Sequence, residues 1–135
     1  MKISSKARYG LKACYALAEN YGKCLSVSAL AAETGATAPY LEQLMILLKK
    51  GGVIGSERGA QGGYYLLRSP GETDIARIFV ALEGDVLTTE CNTRDCRNFG
   101  CPTRSFFDIL HDEMEKLLSG MTLQNLLDGN REKLG

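Results

Sequence analysis

The chain has 135 residues, with sixteen basic and sixteen acidic side chains. A chain of this length can bury one compact core and still carry a short appendage. The N-terminal segment alternates polar and apolar residues at helical spacing, and no run approaches the roughly 20 apolar residues of a membrane span. We therefore expect a cytoplasmic protein with neither a signal peptide nor a membrane anchor.

The two halves of the chain carry opposite charge. Residues 1–68 hold nine Lys or Arg against four Asp or Glu, a net charge of +5, whereas residues 69–135 hold seven against twelve, a net charge of −5. A basic N-terminal half suits a polyanion such as nucleic acid. A chance division of a solvated surface would give the same pattern, so the charge alone does not decide the function.

Two helices are predicted at the start of the chain. Apolar residues recur at three- and four-residue steps over residues 5–21, which indicates an amphipathic helix. A short second helix is predicted over residues 29–34, with Ser26 or Ser28 available as its N-cap and Gly35 as its end.

A third helix is predicted to follow at once. Thr37 is placed to cap it, Pro39 falls in its first turn, where a missing N–H costs nothing, and Gly51 follows its last residues. A helix, a glycine turn and a second helix form the outline of a helix-turn-helix. Strands are then predicted in VIGSERG and GGYYLLR around a glycine-rich tip, which makes a hairpin, or wing.

The remainder of the chain is predicted to be helical except for one loop. Thr73 can cap a connecting helix, residues 84–101 are too polar and irregular for a regular element, and residues 102–119 form a long helix before a short closing helix in MTLQNLL. The long helix carries an apolar stripe suited to pairing with a second chain: Phe106, Phe107, Leu110, Met114, Leu117 and Leu118.

The predicted fold is mainly α with a small β-hairpin wing. We assign residues 1–68 to a winged helix-turn-helix DNA-binding domain and residues 69–83 to the connecting helix. Residues 84–101 form the cysteine-bearing loop, and residues 102–135 form the dimerisation helix and C-terminal tail.

Polar side chains on the third helix can read DNA. Glu42 and Gln43 can bond base edges, while Thr37 and Tyr40 can meet a base or a phosphate. An ordinary amphipathic helix would show a similar polar face. At the wing tip, Arg58 could enter a narrow minor groove. Two further groups could approach the sugar-phosphate backbone: Gly59, and the first-helix residues Ser4, Lys6 and Arg8.

Five cysteines in an unexported chain argue against disulfides. Cys91, Cys96 and Cys101 are separated by four residues each, and thiolates in a loop can hold an iron-sulfur cluster, zinc or another metal, or act as a redox switch. Cys14 and Cys24 lie in or beside apolar helical patterns, so we interpret both as structural. His111, the single histidine, lies on the long helix, where we interpret it as a solvated or packed residue that is also a candidate fourth ligand.

Four segments together resemble one known family. SKARYGLKA, YLEQL, ERGAQGGYYLL and a cysteine trio before a long helix are similar to the IscR-type regulators, which include NsrR, RirA and CymR. The resemblance implies a homodimer that binds a palindromic site on double-stranded DNA and carries a 2Fe-2S or 4Fe-4S cluster. The family's DNA contacts fall on Thr37, Pro39, Tyr40, Glu42 and Gln43, and its minor-groove arginine falls on Arg58.

The sequence departs from this family at two places. Pro39 replaces a serine of the recognition helix, so the operator is expected to differ. IscR-like members have five residues between successive cysteines and a histidine three residues after the last, where this chain has four and Arg104. The fourth ligand is therefore unassigned, and NsrR-like use of an N-terminal acidic residue fails because Ala7 and Arg8 stand there. The candidates are an exchangeable ligand, a residue of the partner chain, His111, Glu90, Asp95 and Asp108.

The leading hypothesis is thus a dimeric transcription regulator whose cluster senses iron-sulfur status, redox state or nitric oxide. The alternatives are a thiol- or zinc-switched regulator and a protein-interaction module resembling CymR. An enzyme is not expected, because the chain has one histidine and no Ser, His and Asp grouping for catalysis.

Overall fold

A computed structural model describes residues 2–84 and 100–129. It confirms a mainly helical fold with one two-stranded antiparallel hairpin. In chain order the elements are α1 (Ser5–Glu19), α2 (Val27–Thr34), α3 (Ala38–Lys50), β1 (Ile54–Glu57), β2 (Gly63–Leu66), a 3-10 turn (Pro70–Glu72), α4 (Ile75–Glu83), α5 (Arg104–Ser119) and α6 (Leu123–Leu127).

Side-chain caps begin the first three helices. Ser4, Ser26 and Thr37 each accept a hydrogen bond from the backbone N–H three residues later, at 3.2, 3.1 and 3.4 Å. Gly35 ends α2 in the left-handed region, at φ 79°. The first helix stops at Glu19, two residues before the predicted end, and Asn20 is its C-cap.

The core forms around α1, which contacts the four neighbouring helices α2, α3, α4 and α6. Close packing on several sides requires small residues, and α1 supplies them at six of its seven buried positions: Ala7, Gly10, Ala13, Cys14, Ala16 and Ala18, with Leu17 as the seventh. The surrounding elements contribute larger side chains that are at most 1% exposed: Leu30, Leu41, Leu44, Met45, Leu48, Ile54, Ile78 and Leu123.

The wing is attached to the helix-turn-helix by backbone hydrogen bonds. Ile54 pairs with Leu66 at the base of the hairpin. Leu25, just before α2, exchanges two hydrogen bonds with Tyr64 of β2, at 2.9 and 2.8 Å. The adjacent Gly63 has φ +150° and lies against the Leu25 carbonyl. The hairpin is thus held against the start of α2.

The N-cap of α4 corrects one prediction. Asp74, rather than Thr73, accepts the hydrogen bond from the Arg77 N–H, at 2.7 Å. Thr73 is buried, and its hydroxyl donates to the Ser69 carbonyl at 3.0 Å. Its own carbonyl accepts from the Leu123 N–H at 3.0 Å, so this segment holds α6 against the start of α4.

The long helix α5 contacts α4 but buries none of its own residues within this chain. Three large apolar side chains on it are more than half exposed: Phe106, Ile109 and Leu117. Across residues 2–84 and 100–129, every helix is too short or too polar to cross a membrane.

The contact at Gly63 predicts a strong effect of a single methyl group. In Gly63→Ala, the new Cβ would lie 2.3 Å from the Leu25 carbonyl oxygen, at a φ that alanine rarely adopts. We expect the free energy of unfolding to fall by about 2 kcal/mol or more, measured by urea titration with circular dichroism at fixed protein concentration.

Gly71→Ala is the matched control, because its Cβ would meet only the Gln124 Cβ at 4.0 Å. It should change the stability by less than about 0.5 kcal/mol. Equal stability of the two variants would contradict the tight wing contact.

Candidate nucleic-acid interface and metal centre

The start of α3 presents polar side chains to solvent. Thr37, Pro39, Glu42 and Gln43 are all exposed, while the opposite face of the helix packs into the core. The structure therefore leaves these predicted contact residues available to a ligand.

Tyr40 is half-buried and joins α3 to α1. Its ring meets Tyr9 edge to face, with centroids 6.0 Å apart and planes at 87°. The cationic groups of Arg8 and Lys12 lie 5.7 and 5.3 Å from the centroid of the Tyr9 ring. The position of Tyr40 is thus set by an aromatic and cation–π contact network on α1.

The wing places Arg58 at an exposed tip directly after β1. Gly59 has φ +109°, and a Cβ at Gly62 would lie 2.2 Å from the Glu57 carbonyl oxygen, so the tip depends on glycine at both positions. In the last turn of α3, Lys49 Nζ donates to Ser56 Oγ of β1 at 2.7 Å. This hydrogen bond connects α3 directly to the wing.

The N-terminus of α1 is basic and exposed at Lys6 and Arg8. Ser4 is exposed too, but its hydroxyl already has partners, since it caps α1 and donates to the Glu83 carboxylate at the end of α4. Ser4 therefore joins two helices in addition to its predicted role at phosphate.

Of the predicted cysteine ligands, Cys101 is described, and Cys91 and Cys96 lie outside the described residues, as do Glu90 and Asp95. Cys101 is half-buried ahead of α5, with its Sγ 3.2 Å from the Thr103 Oγ1. Hydrogen bonding from Thr103 lowers the pKa of the Cys101 thiol, and Arg104 contributes in the same direction. These contacts favour the thiolate, the form that binds metals.

His111 lies on α5, half-buried, with Nδ1 at 3.5 Å from Asp112 Oδ1 and 3.9 Å from Glu115 Oε2. It follows Arg104 by seven positions, about 10 Å of helix rise. Asp108, the other candidate on this helix, is exposed. His111 thus lies beside carboxylates of its own helix, and its ligand atom lies within 4.8 Å of those of Asp112 and Glu115.

The two remaining cysteines differ. Cys14 is fully buried in α1, and burial raises the pKa of its thiol to about 12, as expected for a structural residue. Cys24 is half-buried rather than part of the core, with its Sγ 3.6 Å from Glu57 Oε2. Desolvation, followed by the Glu57 charge and hydrogen bond, raises the pKa of its thiol. Both side chains favour the unreactive thiol form.

Sequence reasoning did not predict the ring contact of Tyr9 with Tyr40 or the hydrogen bond from Lys49 to the wing. It also did not predict that the side chain of Ile46 on α3 would be 64% exposed. Tyr9 falls beside the apolar stripe of α1, Lys49 looks like a charge at a helix C-terminus, and Ile46 falls outside the predicted apolar face of α3 but was not assigned to its polar face. An exact helical count would have placed Ile46 on the face of Gln43, three residues earlier. The contacts of Tyr9 and Lys49 depend on how the elements pack.

Comparison with known proteins agrees with this arrangement. Residues 3–129 match the family model Rrf2, described as an iron-dependent transcriptional regulator. A putative HTH-type transcriptional regulator of Synechocystis is 34% identical over 130 residues, covering 93% of this chain and 87% of that protein.

Two solved structures are similar over nearly the whole chain. IscR of T. potens has a TM-score of 0.79 at 34% identity, covering 98% of this chain and 90% of that one. CymR, the global cysteine regulator of B. subtilis, has a TM-score of 0.77 at 32% identity, covering 93% of this chain and 95% of that one.

Proposed function

Since this chain belongs to the Rrf2 family of DNA-binding transcriptional regulators, we propose that it is a cytoplasmic homodimer that binds a palindromic operator under the control of an iron-sulfur cluster. Members of the family regulate transcription and are not enzymes. The observation that carries the DNA-binding part is the exposed polar face at the start of α3, beside a wing that ends in Arg58.

In this proposal the start of α3 enters the major groove. Gln43 would bond an adenine edge, and Glu42 would accept from cytosine N4. Thr37 would meet a phosphate, with Lys6 and Arg8 adding charge along the backbone. Arg58 would enter the minor groove where A·T pairs narrow it and strengthen its negative potential.

Removal of the wing arginine tests this assignment. We expect Arg58→Ala to weaken binding by about tenfold, since one specific arginine contact contributes roughly 1–3 kcal/mol. The measurement is fluorescence anisotropy with a duplex that the wild-type protein selects from a random pool. Arg68→Ala is the matched control, because Arg68 is also exposed but lies beyond β2, where it donates to the Gly52 carbonyl at 3.3 Å. Equal losses in the two variants would contradict a specific role for Arg58.

The cysteine chemistry supports the cluster. Hydrogen bonds around Cys101 lower the pKa of its thiol and so favour the thiolate. Cys91 and Cys96 would supply two further thiolates. A bound cluster would supply a redox-active group sensitive to oxidants or nitric oxide. Cys101 precedes α5, which packs on α4, and Glu83 of α4 meets Ser4 of α1. A change at the cysteines could therefore shift the population of DNA-binding geometries.

Anaerobic purification tests the cluster. We expect the wild-type protein to be coloured, with iron and sulfide present and a Mössbauer spectrum that identifies the cluster type. Cys101→Ser should lose most of the iron because it removes a thiolate ligand, while Cys24→Ser should retain it, since Cys24 lies beside Glu57 at the wing. A colourless wild-type protein with bound zinc would disprove the cluster.

A thiol switch is the second candidate, favoured by the lowered pKa of Cys101 and the similarity to CymR. It requires reversible oxidation of Cys91, Cys96 or Cys101 that changes DNA affinity in metal-free protein. Alkylation and mass spectrometry after peroxide treatment show whether these cysteines oxidise reversibly. In the cluster mechanism, by contrast, the DNA affinity follows the iron content of the protein.

The exposed apolar face of α5 supports the homodimer. Of the predicted apolar stripe, Phe106 and Leu117 are exposed, and Ile109, which was not part of it, is exposed as well. The other members of the stripe are half-buried within this chain: Phe107, Leu110, Met114 and Leu118. The three exposed side chains leave large apolar surface uncovered on a helix that also contacts α4. A second copy of the same helix would cover them, as expected of crossed helices in a two-fold dimer.

A charge on this face should separate the protomers. We expect Leu117→Glu to convert the dimer to a monomer, because two buried carboxylates would be introduced for each dimer. Leu67→Glu is the matched control and should stay dimeric. Leu67 is 49% exposed against 56% for Leu117, but it lies directly after β2 rather than on α5. Analytical ultracentrifugation gives the mass of each variant. A Leu117→Glu protein that stays dimeric would place the interface elsewhere.

A further inference from the structure

The polar face of α3 is interrupted by one large apolar side chain. Ile46 is 64% exposed, although it lies on a helix whose other face supplies much of the core. It follows Gln43 by three residues and Pro39 by seven, so helical periodicity places the three on one face, and all three are exposed. Ile46 thus extends the face that would read DNA.

The neighbouring lysines do not cover Ile46. Lysine stems often lie over exposed apolar surface, but Lys49 extends to Ser56 of β1, and Lys50 lines a groove between α3 and α4 that Val80 also lines. The two lysine side chains therefore lie on either side of the helix face, and the isoleucine between them remains open to a ligand.

We propose that Ile46 packs against the C5-methyl group of a thymine and thereby selects that base in each half-site. This inference rests on the proposed DNA-binding function and adds a base preference to it. The thymine methyl is the apolar group that unmodified base pairs present in the major groove. Ile46 lies about 4.5 Å beyond Gln43 along the helix axis, close to one base step of about 3.4 Å. With α3 lying along the major groove, as the proposed DNA binding requires, the two side chains would reach neighbouring base pairs.

Deoxyuridine substitution tests the contact, because it removes the methyl group and leaves every hydrogen-bonding group of the base. A duplex is selected from a random pool by the wild-type protein, and each thymine of the half-sites is replaced in turn. We expect one position at which uracil weakens wild-type binding about fourfold, the effect of burying one methyl group. Ile46→Ala should bind the thymine and uracil duplexes equally at that position, which completes a double-mutant cycle.

Val80→Ala is the control, because Val80 is 46% exposed on α4 and lies outside the face of Gln43. It should keep the wild-type difference between thymine and uracil. The inference is overturned if no thymine position responds to uracil in the wild-type protein, or if Ile46→Ala keeps the difference. Binding that is specific but methyl-independent would leave the proposed function intact, whereas loss of all specific binding by the wild-type protein would refute both.

Discussion

The fold depends on the close packing of α1 among its neighbours. A helix with four other helices around it can bury several faces only if its side chains are short, and α1 meets that condition with alanine and glycine at most of its buried positions. Gly10 shows how tight the fit is, because a Cβ there would lie 2.3 Å from a methyl carbon of Leu82. This packing determines where α3 and α4 lie.

The same helix supports the surface that would bind DNA. Tyr9 contacts the ring of Tyr40 on α3, and Ser4 reaches Glu83 at the end of α4. Helix α3 is also joined to the wing through Lys49 and Ser56, and the wing to α2 through Leu25. Contacts between side chains therefore connect α4 to α1 and α1 to α3, and the proposed coupling between the cysteines and the DNA-binding surface would use this contiguous path.

The C-terminal part of the molecule is organised differently. The short helix α6 is held by backbone hydrogen bonds to the start of α4, and Leu123 is fully buried in the core, whereas α5 between them presents large apolar residues to solvent. A helix anchored at its end yet apolar on its outer face is suited to cover a second chain. Cys101 lies just before this helix, so a ligand on it would act at the junction between α4 and the proposed dimer contact.

Local chemistry by itself determined much of this protein. The caps at Ser26 and Thr37, the glycine at the end of α2, the hairpin and the exposed residues of α3 follow from short-range hydrogen bonding and periodicity, and the sequence predicted them. The cap of α4 was assigned wrongly because Thr73 and Asp74 are both good capping residues. Only the tertiary structure decided between them, since Thr73 is buried and bonded to α6. The Leu25 bridge, the Tyr9–Tyr40 contact and the exposure of Ile46 likewise depend on distances between elements far apart in the chain, which no local pattern encodes.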